Sequence, residues 1–156
     1  STDVAVFTEA LNQLCVELAQ EVVADGEGAT KLVSIVVSGA KHQAEAETVG
    51  FVVAESPLVK TALFAGDPNW GRILAAVGRA PVDNLDVNRV TLSIGGCPVA
   101  VEGGLAEVYE EAIVAAQMQK DRISIEIDLG RGEAQATLWT CDLSYDYVRI
   151  NAEYRS

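Results

Sequence analysis

Phe7, Leu11, Leu14, Leu18 and Val22 follow one another at separations of four, three, four and four residues, the repeat that places side chains on one face of an α-helix. Ser1 or Thr2 supplies a hydroxyl to cap its start, and Gly26 stands where a left-handed residue ends a helix. The pattern then changes. Lys31 to Ser38, KLVSIVVS, is rich in Val and Ile and predicts a strand. Gln43 to Ala54 returns to a helical composition. Pro57 opens a second helical stretch, SPLVKTALFAG, because proline is tolerated in a first turn. Asp67-Pro68-Asn69 turns the chain into a third, WGRILAAVGRA.

The second half alternates more than it cycles. RVTLSIGG and CPVAVEGG read as two strands joined at Gly95-Gly96, with Pro98 marking the second as an edge. Val108 to Met118 predicts a helix. ISIEIDLG (123–130) sets three Ile and a Leu against polar residues, and AQATLWTCDL (134–143) follows Gly130-Arg131-Gly132, so a hairpin between them is expected. No low-complexity linker or repeat divides the chain. The expectation is one α+β domain over 1–156, a mixed, largely antiparallel sheet covered by helices on one face.

Composition narrows the function. The 156 residues are 49% hydrophobic and 22% charged, enough to bury a core. Eleven basic residues, scattered singly, face 23 acidic ones for a net charge of −12, which disfavours nucleic acid and anionic membranes as partners. No apolar run approaches a membrane span, and the start lacks the features of a secretion signal, so a soluble cytoplasmic protein is expected. Three cysteines, an odd number without CxxC, fit the same compartment as unreactive, mostly packing thiols. With one histidine, His42, in a polar turn, no metal site is indicated, and no organic cofactor motif is present.

Two stretches carry chemistry. In Asp25-Gly26-Glu27-Gly28-Ala29-Thr30-Lys31, one glycine suffices for the turn, and the second lets Glu27 offer its carboxylate to a ligand that comes close to the backbone; a substrate ammonium suits it, and a solvated loop is the plain alternative. The C-terminus holds Tyr145, Tyr147 and Tyr154, as if tied down rather than frayed, and an anchored tail can place Asn151, the Ser156 hydroxyl and a carboxylate in a site. Gly130-Arg131-Gly132 reads as turn chemistry. Lys31 and Lys60 read as surface or interface charges.

The strings DGEGATK, SPLVKTALFAGDPNWGRILAAVGRA and DLGRGEAQATLWTCDLSYDYVRINAEYR, in this order and spacing, closely resemble the glutamate N-acetyltransferase, or ornithine acetyltransferase, family of arginine biosynthesis. The resemblance covers essentially the whole chain and places it in the C-terminal part of the family's β chain. It implies a self-cleaving precursor whose new N-terminal threonine moves an acetyl group from N-acetylornithine to glutamate, releasing ornithine and N-acetylglutamate; acetyl-CoA is an alternative donor. It implies an α chain and the remainder of the β chain as partners, in a higher α/β oligomer. The family's Ala-Thr cleavage motif is absent, so the nucleophile is expected outside this polypeptide. Carried over by position, the family's substrate-binding residues are Glu27, Asn151 and Ser156. DPNWGR matches equally well and is read as scaffold, with a buried Trp70, close packing at Gly71, and Arg72 as the one group there able to reach a carboxylate.

Two other classes stand beside this. A related self-processing N-terminal-nucleophile hydrolase would use water in place of glutamate, and a non-catalytic amino-acid-binding module would bind without turnover. Ser1 is a rival nucleophile through its own α-amine, but it falls at a helix cap in a segment resembling the middle of the β chain.

Overall fold

The computed structural model describes residues 2–154. Ser1 and Ser156, one read as a helix cap and rival nucleophile and the other as a substrate-binding residue, lie outside the described residues. The elements run α1 (Thr2–Ala24), β1 (Leu32–Ala40), α2 (Gln43–Ala54), α3 (Pro57–Ala65), α4 (Trp70–Gly78), a 3-10 turn (Val87–Arg89), β2 (Thr91–Ile94), β3 (Cys97–Val101), β4 (Gly104–Leu105), α5 (Glu111–Met118), β5 (Arg122–Asp128), β6 (Ala134–Cys141) and α6 (Tyr145–Glu153). The helix expected over 108–118 begins only at Glu111.

The strands form one six-stranded sheet in the order β4-β3-β2-β5-β1-β6. All neighbouring pairs are antiparallel except β1 with β5. This is the mixed, largely antiparallel α+β sheet that the alternation predicts. Gly95 and Gly96, at φ 58° and 76°, make the β2–β3 turn a tight hairpin. Pro98 is not on the sheet's outermost strand, because β4 adds a two-residue flap opposite Ala100 and Val101; Pro98 lies beyond that flap, where its missing N–H costs no bond.

The expected β5–β6 hairpin does not form. β1 inserts between the two strands, parallel to β5 from Leu32 to Ser38 and antiparallel to β6. The glycine turn after β5 crosses the end of β1, where Gly39 O accepts from Arg131 N and Gly132 N at 2.7 and 2.8 Å. Local alternation cannot distinguish the two arrangements, whereas burial does. Val33, Ile35 and Val37 are wholly buried, and a central position between two strands also satisfies both edges of the β1 backbone.

One face of the sheet carries the core. Ile125, Ile127, Leu92 and Ile94 join the β1 residues under Val49 and Val53 of α2, Val59 and Leu63 of α3, Ile73 and Val77 of α4, and Val114 and Met118 of α5. Each such side chain stabilises the fold by about 1.5–3 kcal/mol. Gly50 allows α2 to lie against β6, since a Cβ there would stand 2.1 Å from Leu138 Cδ1.

α1 keeps its predicted helix but not a buried face. None of its residues is buried, Phe7 is 67% exposed, and Cys15, expected to pack, is exposed. No single helix among the described residues is long and apolar enough to cross a membrane.

Candidate functional site

α1 ends in the turn that leads to β1, and that turn is held by α6. Gly26 caps the helix by donating to Val23 O at 3.2 Å, but it is not in the left-handed region. Gly28 is, at φ 69°. A Cβ on Gly28 would meet Tyr147 N at 2.6 Å and Ser144 Oγ at 2.8 Å. The second glycine therefore accommodates the start of α6, and no ligand is needed to explain its lack of a side chain.

Two buried groups lock the junction. Ser144 caps α6 by accepting from Tyr147 N at 3.3 Å, and its hydroxyl donates to Gly28 O at 2.6 Å. Asp142, 3% exposed, accepts from Thr30 N and Lys31 N through Oδ1 at 2.8 and 2.9 Å and from the Thr30 hydroxyl through Oδ2 at 2.5 Å. Three donors to one carboxylate fix the β1 entry against the end of β6.

Within this frame the structure brings together two of the three expected site residues. Asn151 Nδ2 donates to Glu27 Oε2 at 2.9 Å across 124 positions of sequence. Its second hydrogen goes to Tyr147 O, also at 2.9 Å. Both of these partners are acceptors, so the amide orientation is fixed, and Asn151 Oδ1 accepts from no donor among the described residues. Glu27 Oε1 has no protein donor among the described residues, and Glu27 itself is exposed. The pair thus offers two acceptor oxygens, which suits a cation such as an ammonium. The tail is tied down as expected, although through Ser144 and Asn151 rather than its rings: Tyr145 and Tyr154 are 84% and 78% exposed, with only Tyr145 stacked edge-on to Phe64 at 5.4 Å.

Beside the pair an open groove runs between α2, α3 and the end of β6, lined by Glu27, Glu55, Lys60, Trp139, Cys141 and Tyr147 among others. Lys60, expected as a surface or interface charge, is half-buried here, donating to Thr140 Oγ1 at 3.2 Å and Cys141 Sγ at 3.7 Å. Lys31 is no free surface charge either. Its ammonium ends the α3 and α5 helices, donating to Leu63 O at 2.6 Å and Met118 O at 2.8 Å, the favoured place for a cation at a helix C-terminus. Burial lowers its pKa, partly offset by Asp142 and Asp121.

Other expectations resolve into scaffold. Arg72 reaches no carboxylate among the described residues; it donates to Leu58 O at 2.9 Å and Thr61 Oγ1 at 3.4 Å, tying α4 to α3, while Asn69 caps α4. Trp70 is only half-buried, and a Cβ on Gly71 would find nothing nearer than 3.7 Å, so no close packing explains that glycine. His42 is exposed but caps α2, its Nδ1 accepting from Glu45 N at 3.1 Å. Arg131, in the glycine turn, forms a buried ion pair with Glu45 at 2.9 Å and also donates to the carbonyls of Asp83 and Asn84. Burial pushes the Glu45 pKa up, but the Arg131 hydrogen bond, the Lys41 amide and the nearby positive charge outweigh it and leave it lowered. Among the described residues no three His, Cys, Asp or Glu side chains gather to hold a metal.

The sequence matches the ArgJ family over residues 1–156. The chain belongs to the ArgJ family. It is 52% identical over 152 residues to the arginine biosynthesis bifunctional protein ArgJ of Pseudomonas fluorescens (strain Pf0-1), covering 97% of this chain and 38% of that protein. With ArgJ of Methylococcus capsulatus the identity is 49% over 156 residues, covering 100% of this chain and 38% of the relative. The chain therefore spans little more than a third of the length of these curated relatives. The crystal structure of arginine biosynthesis bifunctional protein ArgJ from Bacillus halodurans matches with a TM-score of 0.93 and 37% identity, over 99% of this chain and 72% of that one. The ArgJ fold expected from the resemblance is thereby shown.

Sequence reasoning missed the residues that assemble the site of this ArgJ-family chain. Asp142 and Ser144 lie in CDLSYD, where an Asp and a Ser flanking a helix start are ordinary capping signals. That signal predicts Ser144 as a cap. Nothing local says that Asp142 receives Thr30 and Lys31, more than 100 positions away.

Proposed function

We propose that this chain is the C-terminal part of the β chain of a glutamate N-acetyltransferase, and that Glu27 and Asn151 bind the ammonium-bearing side chain of N-acetylornithine. The observation that carries the reading is the Asn151–Glu27 hydrogen bond, which joins two acceptors into one cation-binding pair at the mouth of a groove. ArgJ membership supplies the reaction. Ser156, five residues beyond Asn151, completes the substrate-binding set by position.

In this reading the nucleophile is a threonine upstream of this chain. Its hydroxyl attacks the acetyl carbonyl, the amide C–N bond breaks, and ornithine leaves with the proton taken from the hydroxyl. The α-amine of glutamate then attacks the acyl-threonine ester, the ester C–O bond breaks, a proton from the amine returns to the threonine oxygen, and N-acetylglutamate is released. The protein assembles from this segment, the rest of the β chain and an α chain into a higher oligomer, works in the cytoplasm, needs no metal, and takes acetyl-CoA as an alternative donor.

The test uses the complete α/β protein. Acetyl transfer from N-acetylornithine to glutamate is expected, and Glu27→Gln should lower kcat/KM for N-acetylornithine by roughly tenfold to a hundredfold, the range of a hydrogen bond to a charged group. Unchanged kinetics in Glu27→Gln would remove Glu27 from the site. Acetate released without glutamate would make the protein a hydrolase.

A further inference from the structure

The acceptor pair leaves half of the substrate unaccounted for. Resting on the acetyl-transfer reading above, donor and acceptor differ in their side chains: N-acetylornithine ends in an ammonium and glutamate in a carboxylate. What they share is an α-carboxylate beside the nitrogen that loses or gains the acetyl group. A site that serves both in turn must recognise that carboxylate, and neither group of the Glu27–Asn151 pair can. Glu27 is itself anionic, and both amide hydrogens of Asn151 are already committed, to Glu27 and to the Tyr147 carbonyl.

Among the described residues lining the groove beside Glu27, Lys60 is the one cation. It is built in rather than free to wander. The residue is half-buried, and its ammonium donates to two neutral atoms of β6, Thr140 Oγ1 at 3.2 Å and Cys141 Sγ at 3.7 Å. Thr140 is oriented in turn by donating to Ala54 O at 3.0 Å, and the Lys60 carbonyl accepts from Leu143 N at 3.1 Å. An ammonium carries three hydrogens; no carboxylate in the described chain lies within ion-pair distance of this one, Glu55 on the groove rim included. The same Cys141 Sγ lies 3.5 Å from where a Cβ on Gly26 would sit, so a single thiol separates Lys60 from the turn that carries Glu27.

We propose that Lys60 binds the α-carboxylate common to both substrates, while the Glu27–Asn151 pair in the same groove takes the ornithine ammonium. One groove then reads both charges of N-acetylornithine. Lys60 is a binding residue in this scheme, fixing the acyl-bearing nitrogen relative to the nucleophile.

The experiment compares N-acetylornithine with N-acetylputrescine, the same molecule without its carboxylate, as acetyl donors to the complete α/β protein. The wild type should prefer N-acetylornithine. Lys60→Met should lower kcat/KM for N-acetylornithine by roughly tenfold to a hundredfold, in line with loss of a charge-assisted hydrogen bond, while changing the decarboxylated donor by less than about threefold. The glutamate KM should rise in the same variant, and Lys60→Arg should retain part of the preference. Because the readout is a ratio of two donors on one preparation, partial misfolding of a variant cancels. Equal losses on both donors, or an unchanged preference in Lys60→Met, overturn the proposal while leaving the acetyltransferase reading in place. A wild type that transfers no acetyl group from N-acetylornithine overturns both.

Discussion

Replacing Gly28 by alanine should do far more damage than the loss of one hydrogen suggests. The residue sits at φ 69°, where an L-amino acid costs about 1–2 kcal/mol. The new Cβ would also stand 2.6 Å from the backbone nitrogen of Tyr147 and 2.8 Å from Ser144 Oγ. To reach an ordinary 3.4 Å contact, the turn and the first turn of α6 must separate by about 0.8 Å, and relieving such overpacking costs about 1–3 kcal/mol more. That movement acts on the 2.9 Å Asn151–Glu27 bond, since each partner rides on one of the two separating elements. Gly96 supplies the control. At φ 76° it has the same left-handed backbone, but a Cβ there would meet nothing within 4 Å, so Gly96→Ala should cost only the conformational part. Gly26→Ala, outside the left-handed region and with its nearest neighbour at 3.2 Å, should be milder than Gly28→Ala.

On the acetyl-transfer reading proposed above, thermal unfolding and steady-state kinetics of the complete protein separate the three variants. Gly28→Ala should be less stable than Gly96→Ala by the close-approach cost of about 1–3 kcal/mol. It should also lose up to about a hundredfold in kcat/KM, the scale of a 1 Å misplacement in a site, whereas Gly96→Ala keeps its activity. Equal behaviour of Gly28→Ala and Gly96→Ala would refute the argument that α6 presses on the turn.

Two further variants test the scaffold and the frame of the site. Glu45→Gln should destabilise the protein by about 3–5 kcal/mol, because it leaves the buried Arg131 guanidinium without its counter-charge. Since the Glu45 pKa is depressed when folded, the stability it contributes is present above the ordinary value of 4.5 and is lost as pH falls through the folded value; melting temperatures below pH 4.5 should therefore fall less steeply in Glu45→Gln than in the wild type. Asp142→Asn should cost about 2–3 kcal/mol through its charge-assisted hydrogen bonds, and hydrogen exchange should show the Thr30 and Lys31 amides losing protection. Full protection in that variant would mean that the carboxylate does not hold the β1 entry.

How much of this was legible from sequence differs by element. The sequence predicts helix α2 at its observed limits, Gln43–Ala54, because its composition and flanking turn residues are local signals. The β2–β3 hairpin was equally readable, since paired glycines favour the tight turn that joins antiparallel strands. Glu27 and Asn151 stood out through the family strings, yet their contact could not be read, as 124 positions separate them.

Side-chain period and turn chemistry, which depend on residues a few positions apart, determined most of the helices and strands, although not β4 or α6, and the long family strings carried the resemblance. The tertiary structure alone decided that β1 enters between β5 and β6, that Gly28 rather than Gly26 is left-handed, and that Lys31, Lys60 and Arg131 are half-buried and held by distant partners. The physical reason is common to all three. A strand with two apolar neighbours available satisfies its backbone wherever burial is greatest, a glycine is required where another element comes too close for a Cβ, and a lysine or arginine stays buried only where distant carbonyls, hydroxyls or carboxylates converge on it. Each of these depends on partners far away in the chain.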